Sequence, residues 1–232
     1  MKLWVVVPAA GYGQRMGADL PKQYLPLAGK PVMRWTLEAL LAHPRVAGVM
    51  LSVAADDTRW KECVPKDAGA RVRSVTGGAQ RAESVEAGLL ALGKDVTDGS
   101  WVLVHDAVRP CVHPQDIERL VTGLEDDAVG GLLAAASADT MKQVDLENRV
   151  AATLDRRQVW RALTPQMFRF GTLRQAYAHA READRVPTDE SAAVEALGLR
   201  PKLIVGRADN VKITQPEDLG LAEAVLRARG LL

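Results

Sequence analysis

In Leu3-Trp4-Val5-Val6-Val7-Pro8-Ala9-Ala10-Gly11-Tyr12-Gly13-Gln14-Arg15-Met16-Gly17 a short apolar run gives way abruptly to small residues and glycines. Consecutive valines with no polar alternation suit a strand buried on both faces, as in a parallel sheet covered by helices. The residues that follow suit a sharp turn at the sheet edge: Pro8, Ala9 and Ala10 are small, and Gly11 and Gly13 tolerate positive φ and leave amide groups able to face an anion. Arg15 and, slightly further on, Lys22 add two cations to the same loop. Two common phosphate loops do not fit. A dinucleotide loop needs glycine where Met16 stands and an acid at the end of the second strand, which reads Leu51-Ser52-Val53-Ala54-Ala55. A P-loop needs Gly-Lys followed by Ser or Thr, which is absent. Taken alone, the loop is equally a phosphate site or a tight strand-to-helix turn with two surface cations.

Outward from this loop, β-rich apolar runs recur at Val46–Val53, Arg71–Val75, Trp101–Val104, Gly131–Ala136 and Leu203–Val205. Between them, Pro31–His43 and Arg81–Leu92 carry apolar residues on one helical stripe, and a last helix is expected after Thr214, with Thr214 and Glu217 at capping-box spacing. Alternating strands and helices predict an α/β fold with a mainly parallel sheet. One stretch departs from it: Asp139–Trp160 alternates polar and apolar residues around the polar turn Asp145–Arg149, as a hairpin does. A lone hairpin is marginal and needs a partner, so residues 138–160 read as an arm for dimerisation on a single domain spanning 1–232.

Composition narrows the function. The 232 residues are 47% hydrophobic and 25% charged, enough for a sizeable core, and the formal net charge is +1. There is thus no global field to draw the chain onto nucleic acid or an anionic membrane, and any anion site is local. No apolar run is long enough for a signal peptide or a membrane span, and Cys63 and Cys111 match neither a disulfide framework nor metal-ligand spacing. A cytoplasmic protein is expected. The five tryptophans are too scattered for a base-stacking stripe.

The string Pro8–Met16 followed by Pro21-Lys22-Gln23-Tyr24-Leu25 resembles the signature of the 2-C-methyl-D-erythritol 4-phosphate cytidylyltransferase family. Gly77-Gly78, Arg81-Ala82-Glu83-Ser84-Val85, His105-Asp106-Ala107-Val108-Arg109-Pro110, Asp139-Thr140-Met141-Lys142, Leu163-Thr164-Pro165-Gln166, Thr188-Asp189-Glu190 and Asp209-Asn210-Val211-Lys212 resemble its later segments in order. Ala79, Gln80 and Val108 depart from the family's usual residues. The resemblance implies a Rossmann-like nucleotidyltransferase fold of the nucleotide-diphospho-sugar transferase type, with a protruding β-arm swapped in a homodimer. It also implies CTP and a small polyol phosphate as substrates, Mg²⁺ or another divalent cation, and a place in non-mevalonate isoprenoid synthesis.

In the implied reaction a phosphate oxygen of the acceptor attacks the α-phosphorus of CTP and pyrophosphate leaves. The acceptor phosphate, with a second pKa of about 6, is already mostly dianionic, so no general base is needed. Catalysis then rests on alignment and on cations placed where charge builds. The resemblance assigns that role to Arg15, Lys22, Arg156 and Lys212. It places the nucleotide against Pro8, Ala9, Ala10, Gly11, Gly13, Gly78, Ser84, Asp106 and Ala107, and the acceptor against Arg109, Thr140, Lys142, Arg156 and Lys212. Asp106 follows a central strand, where open α/β sheets bind ligands, and two roles stand open for it: accepting ribose hydroxyls or, with Asp209, holding Mg²⁺. Ser84 has the alternative of serving the first turn of its helix, and Lys142 that of an exposed strand lysine. His105 reads as a packed strand-end histidine. Rival readings are a cytidylyltransferase for another polyol phosphate such as ribitol 5-phosphate, and a nucleotide-sensing dimer without catalysis.

Overall fold

The computed structural model describes residues 1–11 and 20–232; Gly13 and Arg15 of the N-terminal loop lie outside the described residues. The strands in chain order are β1 (Leu3–Pro8), the short pair β2 (Pro26–Leu27) and β3 (Lys30–Pro31), β4 (Val46–Val53), β5 (Val72–Thr76), β6 (Trp101–Val104), β7 (Gly130–Ala136), β8 (Lys142–Val144), β9 (Val150–Thr153), β10 (Trp160–Arg169) and β11 (Lys202–Val205). The helices are α1 (Val32–Leu41), α2 (Trp60–Cys63), α3 (Arg81–Leu92), α4 (Pro114–Leu124), α5 (Phe170–Glu182), α6 (Glu190–Glu195) and α7 (Glu217–Ala228).

Side chains of β1 point alternately into two cores. Val5 and Val7 join Leu37 and Leu40 of α1 on one side, while Val6 joins Val85 and Leu89 of α3 on the other. With both faces covered there is no polar face to show, which is why the run is continuously apolar. The seven-stranded sheet has the order β11-β7-β10-β6-β1-β4-β5. All its pairings are parallel except those of β10, which runs antiparallel between β6 and β7. The chain builds outward from β1 to β4 and β5, then returns to place β6 on the other side of β1. The order therefore reverses between β1 and β6, and the crevice at their carboxyl ends is where such sheets take ligands.

Strand β10 was not foreseen from the sequence: Pro165 interrupts it, the Thr164–Pro165 bond is cis, and the β7 register shifts between Ala162 and Gln166. The last helix begins at Glu217, but the carboxylate that meets Thr214 is that of Asp218 rather than Glu217: it accepts from the amides of Thr214 (2.7 Å) and Gln215 (2.9 Å) and from the Thr214 hydroxyl (2.8 Å). Burial works to raise the Asp218 pKa, but these hydrogen bonds and the Lys22 charge hold it below the usual carboxylate range. The hairpin forms where alternation placed it. Strands β8 and β9 make a separate antiparallel ladder, exposed throughout, around a turn in which Asp145 Oδ1 accepts from Glu147 and Arg149 amides at 2.9 Å and Asn148 takes φ 60°.

Candidate functional site

A pocket opens at the β1–β6 switch. Its walls include Pro8, Ala9, Ala10 and Gly11 after β1, Gly78, Gln80, Arg81 and Ser84 at the start of α3, Asp106 and Ala107 after β6, and Lys22 and Lys212 from flanking loops. The buried amide of Gln23 shapes the first wall, donating through Nε2 to the carbonyls of Ala9 (2.8 Å) and Gly11 (3.2 Å). Gln23 lies in the short 3₁₀ turn Lys22–Tyr24, whose Tyr24 hydroxyl donates to Asp57 at 2.6 Å. Lys22 is thus set on the pocket by a turn in which Gln23 is hydrogen-bonded to the chain after β1 and Tyr24 to the loop after β4.

The second wall needs its glycines. A Cβ at Gly78 would sit 2.3 Å from that of Glu83, and one at Gly77 would sit 2.8 Å from Ser84 Oγ. Glu83 accepts from the Gln80 amide at 3.1 Å, so the loop enters α3 through a capping box, and Gln80 belongs to that cap as well as to the pocket wall. Ser84 Oγ accepts from the Gly78 amide (3.2 Å) and donates among the carbonyls of Gly78 and Gln80 (3.3 and 3.1 Å). Ser84 thus braces the first turn of α3 and also lines the pocket.

The third wall is an acid ringed by cations. Asp106 Oδ1 accepts from Arg81 Nε at 3.1 Å, and Oδ2 lies 3.2 Å from Arg109 Nε and 3.0 Å from Lys212 Nζ. Burial alone would raise the Asp106 pKa; the charges of Arg81, Lys212 and Arg109 outweigh it and hold the carboxyl far below the usual range. Arg109 is itself buried, its Nη1 donating to the Asn210 carbonyl at 2.8 Å, so it anchors the Lys212 loop. The motif around Arg81 does not by itself reveal a role for this side chain. Its place on the pocket wall depends on partners 25 and 109 residues away, which no local spacing reveals.

His105 packs beneath Asp106. It is fully buried, with Nδ1 2.8 Å from Thr164 Oγ1 and Nε2 3.2 Å from the Arg109 carbonyl, and burial pushes its pKa down to about 4. Because this lies below the unfolded value of about 6.5, the unfolded chain takes up the proton first as pH falls, and stability declines from near pH 6.5 toward the folded pKa. We expect His105→Gln to remove roughly 1 kcal/mol per pH unit of slope over that window, the slope of one proton. Urea midpoints measured between pH 4.5 and 7 would show the difference; parallel curves for variant and wild type would refute it.

The remaining site residues are placed as follows. Thr140, Lys142 and Arg156 lie on or beside the exposed hairpin and do not line the pocket. Lys142 Nζ donates to Thr153 Oγ1 at 2.7 Å, and Arg156 Nη1 to the Ala138 carbonyl at 3.2 Å. Asp209 also stays out of the pocket wall, its carboxylate 2.8 Å from Arg229 Nη2 and 3.5 Å from Arg207 Nε. Asp106 is therefore the carboxylate that the described residues offer to a divalent ion arriving on a triphosphate. One acid with phosphate and water oxygens is an ordinary Mg²⁺ shell, and of the two carboxylates expected at the ion Asp106 is the one that lines this pocket.

Comparison with known proteins agrees on one family. The sequence profile described as 2-C-methyl-D-erythritol 4-phosphate cytidylyltransferase matches residues 3–228. A protein of that name from Ectopseudomonas mendocina is 50% identical over 220 residues, covering 94% of this chain and 93% of the relative. One from Pseudomonas aeruginosa is 50% identical over 221 residues, covering 93% and 92%. Among solved structures, the Francisella tularensis 2-C-methyl-D-erythritol 4-phosphate cytidylyltransferase superposes with a TM-score of 0.83 at 32% identity, covering 97% of this chain and all of that one (100%). The Thermus thermophilus protein of the same name gives 0.79 at 31% identity, covering 98% and 100%. No helix among the described residues is long and apolar enough to cross a membrane.

Proposed function

The chain belongs to the 2-C-methyl-D-erythritol 4-phosphate cytidylyltransferase family, and from that membership we propose how its pocket works. It transfers the cytidylyl group of CTP to 2-C-methyl-D-erythritol 4-phosphate, releasing pyrophosphate, in the non-mevalonate route to isoprenoid precursors. The observation that carries the mechanism is the character of the pocket wall: backbone of small residues, lysines 22 and 212 on opposite loops, and a buried acid already neutralised by cations. Such a wall does not supply a nucleophile. It aligns two polyanions and offsets their repulsion.

The cytosine is taken against the Gly78–Ser84 wall and the ribose hydroxyls against Asp106. The triphosphate runs along Pro8–Gly11, with Lys22 and Arg15 on the α-phosphate and the leaving pyrophosphate. Lys212, half-exposed at the pocket mouth, presents the acceptor phosphate for in-line attack. Mg²⁺, held by phosphate oxygens and Asp106, would supply additional neutralisation of the triphosphate charge.

The acceptor is completed by Thr140, Lys142 and Arg156 from a second copy of the chain. Their position on an exposed hairpin outside their own pocket wall supports this reading, as do the apolar side chains that the hairpin leaves in solvent, Val144, Leu146 and Val150. The free, widely separated Cys63 and Cys111 favour the reducing cytoplasm. Pyrophosphate release from CTP, measured with 2-C-methyl-D-erythritol 4-phosphate beside ribitol 5-phosphate, tests the acceptor. Turnover is expected with the former, and turnover with the latter alone would refute the assignment.

A further inference from the structure

Behind the pocket wall lies a second carboxylate that the reaction as described does not use. Glu190 opens α6 and is fully buried, with its oxygens on Arg81 Nη1 (2.8 Å) and Nη2 (3.2 Å) in a two-atom fork. The Tyr177 hydroxyl of α5 donates to the same carboxylate at 3.0 Å. The turn that carries Glu190 is itself fixed to the sheet: Gln166 of β10 accepts from the Ser191 amide at 2.7 Å and donates to Asp189 at 2.9 Å, and Asp189 caps the helix through the Ala192 amide at 2.8 Å. A buried charge anchored this firmly dictates where its partner's guanidinium points.

The consequence reaches the pocket. With its Nη1–Nη2 edge on Glu190, Arg81 meets Asp106 through Nε alone, and only at Oδ1. Oδ2 is left to Arg109 and Lys212. Without the Glu190 charge, Asp106 is the one carboxylate left to Arg81. The guanidinium then closes on it with two N–H groups, the geometry that Arg–carboxylate pairs prefer, and competes with Lys212 and with the nucleotide for the same oxygens.

We propose that Glu190 is a positioning residue for nucleotide binding: by holding the fork of Arg81 it keeps Asp106 in the orientation and with the free acceptor capacity that CTP requires. This rests on the reading of the pocket as a CTP site. The test is the Kd for CTP by direct titration, without acceptor, together with the KM for CTP and kcat. Glu190→Gln is expected to weaken CTP binding about tenfold, a change of about 1.4 kcal/mol, with Glu190→Asp intermediate. A purely structural role would lower the fraction of active protein, and hence apparent kcat, at an unchanged KM for CTP. An unchanged KM and Kd in folded Glu190→Gln overturns the proposal. Where that variant does not fold, Tyr177→Phe, which removes only the hydroxyl on Glu190, decides: a roughly threefold loss of CTP affinity supports it and wild-type affinity overturns it. Failure of the wild-type protein to bind CTP would instead overturn the underlying reading of the pocket.

Discussion

Lys22→Ala is expected to lower kcat by about 10²–10³-fold, the cost of removing one preorganised donor to transition-state charge. The reaction brings a dianionic phosphate against a triphosphate, and negative charge gathers on the pentacoordinate phosphorus and the departing pyrophosphate. A fixed ammonium there stabilises the transition state more than the ground state, so the loss falls on kcat more than on the KM for CTP. Lys22 is suited to the task because its turn is not free to drift: Gln23 is bonded to Ala9 and Gly11, and Tyr24 to Asp57. Water could replace the ammonium in a flexible loop, but would have to reorganise here. Single-turnover measurement with saturating CTP isolates the step. A variant within tenfold of wild type would show that Lys22 is a bystander and that the alignment of the substrates supplies the rate.

Asp106→Asn is expected to destabilise the fold by about 3–5 kcal/mol, the range for breaking a buried ion pair by removing one partner, and to abolish measurable CTP turnover. Arg81, Arg109 and Lys212 converge on the Asp106 carboxylate, and Arg109 is itself buried, so a neutral amide leaves their charges facing one another. The pH dependence has a definite sign. The folded pKa of Asp106 is depressed below the unfolded value of about 3.9, so its contribution is complete above that value and is lost only as pH falls through it toward the folded pKa. The gap between wild type and variant is therefore flat from pH 8 to 5 and narrows only in stronger acid, below the window in which His105 acts. Urea unfolding at pH 7 and pH 5 measures the gap. A gap under about 1 kcal/mol at pH 7, the worth of an exposed pair, would mean that solvent already satisfies these cations.

Much of the architecture was legible in local pattern. The valine run of β1 needs helices on both faces, and α1 and α3 are there, with Val5 and Val6 in opposite cores. Helix α3 has the bounds that its apolar stripe predicted, and the hairpin turn falls at Asp145–Arg149 because the polar residues there bond their own backbone. Strand β10 was not legible. Its Trp160–Arg169 sequence carries a proline and no clean alternation, and it is a strand because β6 and β7 stand on either side to take its hydrogen bonds. At the start of α7 the capping-box spacing points to Glu217, three residues after Thr214, whereas the folded turn brings Asp218, four residues on, to the Thr214 amide.

The sequence by itself determined that a strand ends in a small-residue loop with cations beside it, that an acid follows a central strand, and that the motifs belong to one enzyme family. These are local facts: they depend on residue type, period and order. What only the tertiary structure decided is how the charges of the site are shared. Arg81, Asp106, Glu190 and Lys212 are brought together by the return of the chain across β1 and by the packing of α5 against α3 and of α6 against α5, with Arg81 and Glu190 109 residues apart. Asp209, expected as a second carboxylate beside Asp106, pairs with Arg229 and does not line the pocket. Electrostatic energy depends on distance and burial in space, and sequence separation carries neither.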